Sequence, residues 1–453
     1  MKPHAISIVR TLREAGYQAY FVGGCVRDLI LGREPADYDV TTNATPQQVM
    51  SIFPETYAVG AQFGVVLVPA LKSARDDNRV VEVATFRCDV GYSDGRRPDE
   101  VRYSQDPRED VERRDFTING LLLDPLKPGS LEEEVVDFVG GRKDITAGII
   151  RTIGDPELRF TEDKLRLLRA VRFAARLGYE IEPLTFAALR KLTPMIHQVS
   201  RERVADELNK MLTEGRARRA FELLDSSGLL REVLPEISAM KGVAQPPQYH
   251  PEGDVWTHTL MLLENLPQPG FGKQGSLTLA WGALLHDVGK PPTFTVAPDR
   301  IRFNGHVEVG VKMAEEICRR LRFSNANTGQ ILSLIQHHMQ FADMPRMKES
   351  TLKKFLRLPQ FDEHLEQHRL DCMASHGDLS LYNFAREKLA AIPAEKMRPA
   401  PLLTGDDLIQ LGHAPGPRFK EILTAAEDAQ LEGKLHSKDE ALAWAKAEFP
   451  GIA

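Results

Sequence analysis

Residues 21–42 read FVGGCVRDLILGREPADYDVTT: an apolar run, a Gly23-Gly24 pair, a helical stretch opening near Val26, a short linker, and Asp37-Tyr38-Asp39 on the next strand. Glycine lets a backbone approach a ligand closely, and free N–H groups at a helix start attract phosphate oxygens. Gly23, Gly24 and Arg27 can therefore hold a triphosphate. Residues two apart on a strand face the same way, so Asp37 and Asp39 can both address one ion, and hard carboxylate oxygens suit Mg²⁺. Two bridged metals would lower the pKa of an attacking hydroxyl and neutralise a departing pyrophosphate. Glu82, in the run VVEVATF, is the expected third carboxylate.

Outward from this stretch, AYFVGG, YDVTT, GVVLVPA and VVEVATF read as strands and residues 6–15 as an amphipathic helix, which makes the amino-terminal part a small α/β domain. After Gly140 the pattern turns to helical periods such as DKLRLLRAVRFAARLG and RVADELNKMLTEG. The Pro-containing stretches at 242–253 and 391–403 mark boundaries. The expected fold class is α+β. Its parts are a head over 1–140, a helical neck over 141–242, a helical body over 243–380 and a helical tail over 381–453.

The 453 residues, 42% hydrophobic and 27% charged, suffice for several cores. No apolar run approaches the ~20 residues that span a bilayer, and the first eighteen residues lack a signal-peptide core, so no membrane and a cytoplasmic location are expected. Four scattered cysteines without a CxxC pair indicate neither a disulfide framework nor a zinc knuckle. A net charge of −6 excludes a globally basic nucleic-acid coat. Locally, residues 151–176 carry seven basic and four acidic side chains, and Arg216, Arg218 and Arg219 add a second cluster. RNA phosphates would be drawn there.

The quoted stretch resembles the signature of the bacterial-type (class II) tRNA nucleotidyltransferases, the CCA-adding enzymes, and of the related bacterial poly(A) polymerases. The likeness continues through VEVATFRCDVGYSDGRRPDEV, RRDFTINGLLLD, TEDKLRLLRAVRFAARLGYEI and ERVADELNKML, about the first half of the chain. It implies a nucleotidyltransferase head that adds CCA to the tRNA 3′ end from CTP and ATP by two-metal transfer. Asp37 and Asp39 would bind the catalytic Mg²⁺, and Gly24 and Arg27 would touch the incoming triphosphate. Asp163 and Arg166 would read the base edge, where a carboxylate accepts from an exocyclic amine and a guanidinium donates to ring acceptors. Arg114, Arg169 and Arg172 would support the nucleotide, with Asp115 orienting them. The loop GYSDGRRPDEV would help the pocket switch from C to A. The family usually has Ala where this chain has Gly120.

On the helix after Asp163, Arg166, Arg169, Arg172 and Arg176 share one arc of a largely apolar circumference. Buried guanidinium groups need partners. The residues alone leave two partners open: an ion-pair network within the chain, or a bound nucleotide.

Downstream, His258, the adjacent pair His286-Asp287 and Asp371, all placed on helices, resemble the HD phosphohydrolase family, whose imidazole and carboxylate ligands bind a divalent cation. His306 with His337 or His338 could hold a second ion, His337 being the expected one. Some CCA-adding enzymes with an HD domain act as phosphatases or 2′,3′-cyclic phosphodiesterases. Rival readings are a poly(A) polymerase, an enzyme adding only the final A, and an HD phosphohydrolase whose head merely binds RNA. In the tail, a Pro-Gly-Pro turn opening a helix with Arg418 and Lys420 is a candidate tRNA backbone clamp or a plain surface turn.

Overall fold

The computed structural model describes residues 1–57, 64–69, 80–90, 100–127, 134–267 and 275–450. The chain forms two compact units, one built chiefly from residues 1–239, the other from residues 240–265, 278–318 and 323–450. The first combines a mixed α/β head with helices. The second is largely helical.

In the head, helix α1 (Lys2–Glu14) has Pro3 in its first turn and buries Ala5, Ile8, Val9 and Leu12. Strand β1 (Ala19–Val22) leads through Gly23 into α2 (Gly24–Ile30), followed by β2 (Asp39–Thr42), α3 (Pro46–Ile52), β3 (Val65–Pro69), β4 (Val80–Thr85), β5 (Arg87–Val90), β6 (Glu100–Tyr103), α4 (Pro107–Glu112), β7 (Leu121–Leu123) and β8 (Val135–Asp137). Six strands form one sheet in the order β3-β4-β2-β1-β7-β8. β2 runs antiparallel to β1 and parallel to β4. The antiparallel pairing brings the start of β2 beside the glycine turn that ends β1. The parallel register sets Asp39 opposite Glu82, so three chemically informative segments meet at one sheet end.

Gly23 has φ of 77°, a left-handed conformation that suits glycine, and a Cβ there would sit 3.3 Å from an Arg114 guanidinium nitrogen. Gly120 differs in kind. Its added Cβ would lie 2.8 Å from Val139, 3.0 Å from Ile153 and 3.1 Å from Val111, so the neighbours have closed over the missing methyl. Overpacking should outweigh the gain from a stiffer unfolded chain. Gly120→Ala is expected to lose about 1 kcal/mol, read as a lower urea midpoint.

Beyond the head, helix Leu165–Leu177 ends at Gly178 in the left-handed conformation and packs against helices Arg201–Thr213 and Ala217–Ser227. The second unit has one apolar cluster around Phe341, Phe355 and Phe361, and another in the tail around Leu408, Ile422 and Ala441. Among the described residues no helix is long and apolar enough to cross a membrane.

The loop GYSDGRRPDEV falls, from residue 91 to 99, outside the described residues.

Candidate functional site

In the head, a cavity of about 670 Å³ is lined by Gly23, Gly24, Arg27, Asp37, Asp39, Glu82, Arg114, Asp115, Arg169 and Arg172 together with Tyr38, Asn119, Phe173 and Lys210. Asp37 precedes β2 rather than lying in it. Tyr38, between Asp37 and Asp39, is buried, its ring 5.3 Å from Phe21, and all three residues border the cavity. Burial, with Glu82 and Asp37 nearby, pushes the Asp39 carboxyl up to about 6 despite the opposing pull of Arg114. Three carboxylates thus share a wall short of positive charge. No set of one oxygen from each of the three lies within 4.8 Å of one another.

The same cavity is lined by arginines, each with an acid partner inside the chain. Arg27 is buried, pairs with Asp28 at 2.8 Å and donates to Asn119 Oδ1 at 2.7 Å. Asn119 passes a hydrogen bond to Asp115 at 3.2 Å, and Asp115 accepts from Arg169 at 2.8 and 2.6 Å. Burial alone would raise the Asp115 carboxyl, but Arg169 and Arg166 hold it well below the usual carboxylate range. Arg114 leans on Asp110 at 3.1 Å. The guanidinium carbons of Arg27, Arg169 and Arg172 sit 5.4, 5.1 and 4.3 Å from the centre of the Phe173 ring. The ion-pair reading of the arginine helix therefore describes its contacts, and the cavity receives the exposed side of Arg169.

Arg172 is 7% exposed and its partner Glu207, 2.6 Å away, only 2%. Glu207→Gln would leave that cation poorly compensated, at an expected loss of about 2 kcal/mol on urea unfolding.

Asp163 and Arg166 do not line this cavity. Asp163 follows helix Pro156–Glu162, caps the Leu165 N–H at 3.0 Å, and pairs with Arg203 at 2.9 Å. Arg166 pairs with Glu162 at 2.8 Å and donates to the carbonyls of Arg159 and Arg113. Both side chains are engaged by neighbours in the same unit.

The second unit carries a cluster of different chemistry. His286 and Asp287 lie in the turn after helix Leu277–Leu285, not on a helix. Gly289 lets that turn touch the start of helix His306–Arg320, for a Cβ on it would fall 2.0 Å from the His306 carbonyl oxygen. Ligand-type atoms of His258, His286 and Asp371 lie within 4.8 Å of one another, as do those of Asp287, His306 and His338. Asp287 faces both groups, with Oδ2 3.1 Å from His286 and Oδ1 3.8 Å from His306. His337, the expected ligand, is not in the cluster. Helix Asn325–His337 ends there and turns its ring toward Phe355 and His364, whereas His338 opens a tighter turn and faces inward.

The cluster fits a metal. His258 Nε2 lies 3.0 Å from Asp371, yet it, His286 Nε2 and Asp287 Oδ2 are buried without a partner in hydrogen-bonding geometry. Lone pairs aimed at a shared point do this. Burial opposes a charged His258 ring, but Asp371 and Glu252 raise it to about 9, and burial pushes His338 down to about 4. A neighbouring cavity of about 560 Å³ is lined by His250, Lys290, Arg300 and Arg302 as well as by the cluster.

The profile of the poly A polymerase head domain matches residues 19–151, that of a probable RNA and SrmB-binding site of polymerase A residues 178–241, and that of the HD domain residues 254–373. Residues 19–151 thus carry a head domain of the poly A polymerase type. Its relatives include the CCA-adding enzymes of Bacillus pumilus, 44% identical over 51% of this chain and 54% of the relative, and of Geobacillus stearothermophilus, 42% identical over 51% and 54%. These alignments span about half the length of the curated relatives. The crystal structure of the Bacillus stearothermophilus CCA-adding enzyme in complex with CTP aligns with a TM-score of 0.72 at 28% identity, covering 98% of this chain and 97% of that one.

Within this poly A polymerase-type head, sequence reasoning missed Asn119, Asp110, Phe173 and Lys210. Asn119 and Asp110 stood beside the arginines in the RRDFTIN region, but only tertiary contacts show what they hold. Phe173 carries the periodicity of an ordinary core residue. Lys210, paired with Asp206 at 2.6 Å, comes from a helix distant in sequence. In the second unit the missed residues are Glu252, His250 and Lys290, all near the recognised histidines. In the tail, Pro417 does open helix Pro417–Leu431, and Arg418 donates to the Pro450 carbonyl at 3.3 Å.

Proposed function

We propose that this chain completes the tRNA 3′ end, adding CMP from CTP and then AMP from ATP and releasing pyrophosphate at each step. The observation that carries the reading is the head cavity of about 670 Å³, which gathers Asp37, Asp39 and Glu82 with Arg27, Arg114 and Arg169 in one lining. The complexed CTP of the 28%-identical relative supports it.

Asp37 and Asp39 fit Mg²⁺, because both carboxylates line the cavity beside Glu82 and burial with this like charge outweighs the pull of Arg114 on Asp39. Bound there, Mg²⁺ would neutralise pyrophosphate and acidify the attacking hydroxyl. Gly23 and Gly24 give the phosphates room to approach the backbone. Arg27 and Arg114 would contact them, while Arg169, held by Asp115, and Arg172, held by Glu207, would keep fixed directions. Asp163 would accept from the base amine and Arg166 donate to the ring, each exchanging a contact with Arg203 or Glu162 for one with the base.

Offering each triphosphate alone to tRNA lacking CCA tests this. CTP alone should add C residues, ATP alone nothing, and the mixture the complete end. Sustained ATP-only extension of unrelated RNA would make the chain a poly(A) polymerase. Extension only of tRNA already ending in CC would make it an A-adding enzyme.

The buried unpartnered nitrogens of His258 and His286 favour a second reading for the helical unit: hydrolysis of a phosphate ester at a divalent-cation centre. His258, His286 and Asp371 would hold one ion, and His306 and His338 a second, with Asp287 between them. Such ions supply an activated water. Lys290, Arg300 and Arg302 would receive the phosphate from the adjoining cavity.

A further inference from the structure

The four histidine rings of the cluster differ in what stands behind them. An imidazole that offers Nε2 to a cation carries its proton on Nδ1, and the acceptor of that proton sets the ring's direction and donor strength. Behind three rings the acceptor is a neutral main-chain carbonyl: Ala283 for His286 at 2.9 Å, Phe303 for His306 at 3.0 Å and Ile335 for His338 at 2.7 Å. Behind His258 it is a carboxylate. Its Nδ1 lies 2.7 Å from Glu252 Oε1, with His258 fully buried and Glu252 5% exposed.

A carboxylate is costly to bury, and three neighbouring rings manage with a carbonyl. Glu252 Oε1 also accepts from His250 Nδ1 at 2.8 Å, and the His250 ring stands edge-on to His258 at 4.9 Å. Its other oxygen is buried without a partner. This negative charge is therefore only partly spent on hydrogen bonds. The rest acts on the His258 ring and on whatever lies beyond Nε2.

Resting on the reading of this cluster as a divalent-cation centre, we infer that Glu252 is a positioning residue that makes the His258–His286–Asp371 position the tighter of the two. That position owns one carboxylate, Asp371, and is backed by a second. The Asp287–His306–His338 position owns only Asp287, which it shares and whose charge is offset by Lys290, 2.7 Å from Oδ2. Two positions so unequal in charge fill in sequence.

Glu252 could instead be a direct ligand with His250 and His258, since their atoms lie within 4.8 Å of one another. That arrangement would use His258 Nδ1 and turn its protonated Nε2 toward Asp371, 3.0 Å away, and would leave the buried, unpartnered His286 Nε2 with no cation to face. The convergence of His258, His286 and Asp371 on one point, with His286 Nε2 unspent, argues for the opposite tautomer.

The test uses the full-length chain with Asp37→Ala and Asp39→Ala, which removes the acidic wall of the head, stripped of metal and titrated with Mn²⁺ alone. Calorimetry and electron paramagnetic resonance count and rank the bound ions. Two classes of unequal affinity are expected. Glu252→Gln should weaken the tighter class roughly 10- to 100-fold, the usual effect of losing an outer carboxylate, and leave the weaker class in place. His306→Ala should remove the weaker class alone. A loss of fold would weaken both classes together, so selectivity separates positioning from structural support.

Glu252→Gln titrating like its parent, or weakening both classes equally, overturns the inference while the metal centre stands. A third ion that vanishes in Glu252→Gln makes Glu252 a ligand and also overturns it. Failure of the parent to bind Mn²⁺ at all removes the metal reading and this inference together.

Discussion

Replacing Asp37 and Asp39 together by alanine is expected to cut CMP incorporation roughly a thousandfold, the equivalent of about 4 kcal/mol of lost transition-state stabilisation at a metal-assisted phosphoryl centre. Single-turnover extension of tRNA lacking CCA measures it. Stability should move the other way or not at all. Asp39 is held in a state where burial and Glu82 disfavour its charge, so in metal-free protein its removal relieves repulsion. An unchanged or raised unfolding midpoint beside a collapsed rate would locate the defect in chemistry. Incorporation that survives both substitutions would instead leave the head as an RNA-binding module and the helical unit as the sole enzyme.

What could be read in the sequence was what lies close together along it. The glycine pair and the two aspartates are separated by one helix and one linker, and the strand run holding Glu82 needed only the sheet register to reach them. Strands of three residues, such as β7 and β8, are too short for alternation to show, although they complete the sheet. The arginine arc was legible as a demand for partners, but the partners, Asp115, Glu207 and Glu214, come from 35 to 54 positions away. Choosing His337 over its neighbour failed for a local reason. A helix ends between them, the turn tightens, and the phase that would have pointed His337 inward is lost. The placement of Asp163 and Arg166 follows from capping and ion pairs that no periodicity records.

Replacing His286 and Asp287 together by alanine is expected to abolish metal-dependent hydrolysis of p-nitrophenyl phosphate and of 2′,3′-cyclic AMP, and to leave CMP incorporation at its original rate. Asp287 faces both groups of ligand atoms, so its loss dismantles the two positions at once. Both residues are about 1% exposed, and removing Asp287 leaves the buried Lys290 with Gln245 and the Phe303 ring but without the carboxylate 2.7 Å away. Some loss of stability will accompany the loss of hydrolysis. Asp371→Asn separates these effects, because that side chain is 27% exposed and keeps its shape while giving up the charge that faces His258. Equal loss of hydrolysis in both variants, with incorporation intact, would assign the chemistry to the cluster. Incorporation that falls with hydrolysis in Asp371→Asn would mean that the cluster serves the fold of the whole chain rather than a reaction of its own.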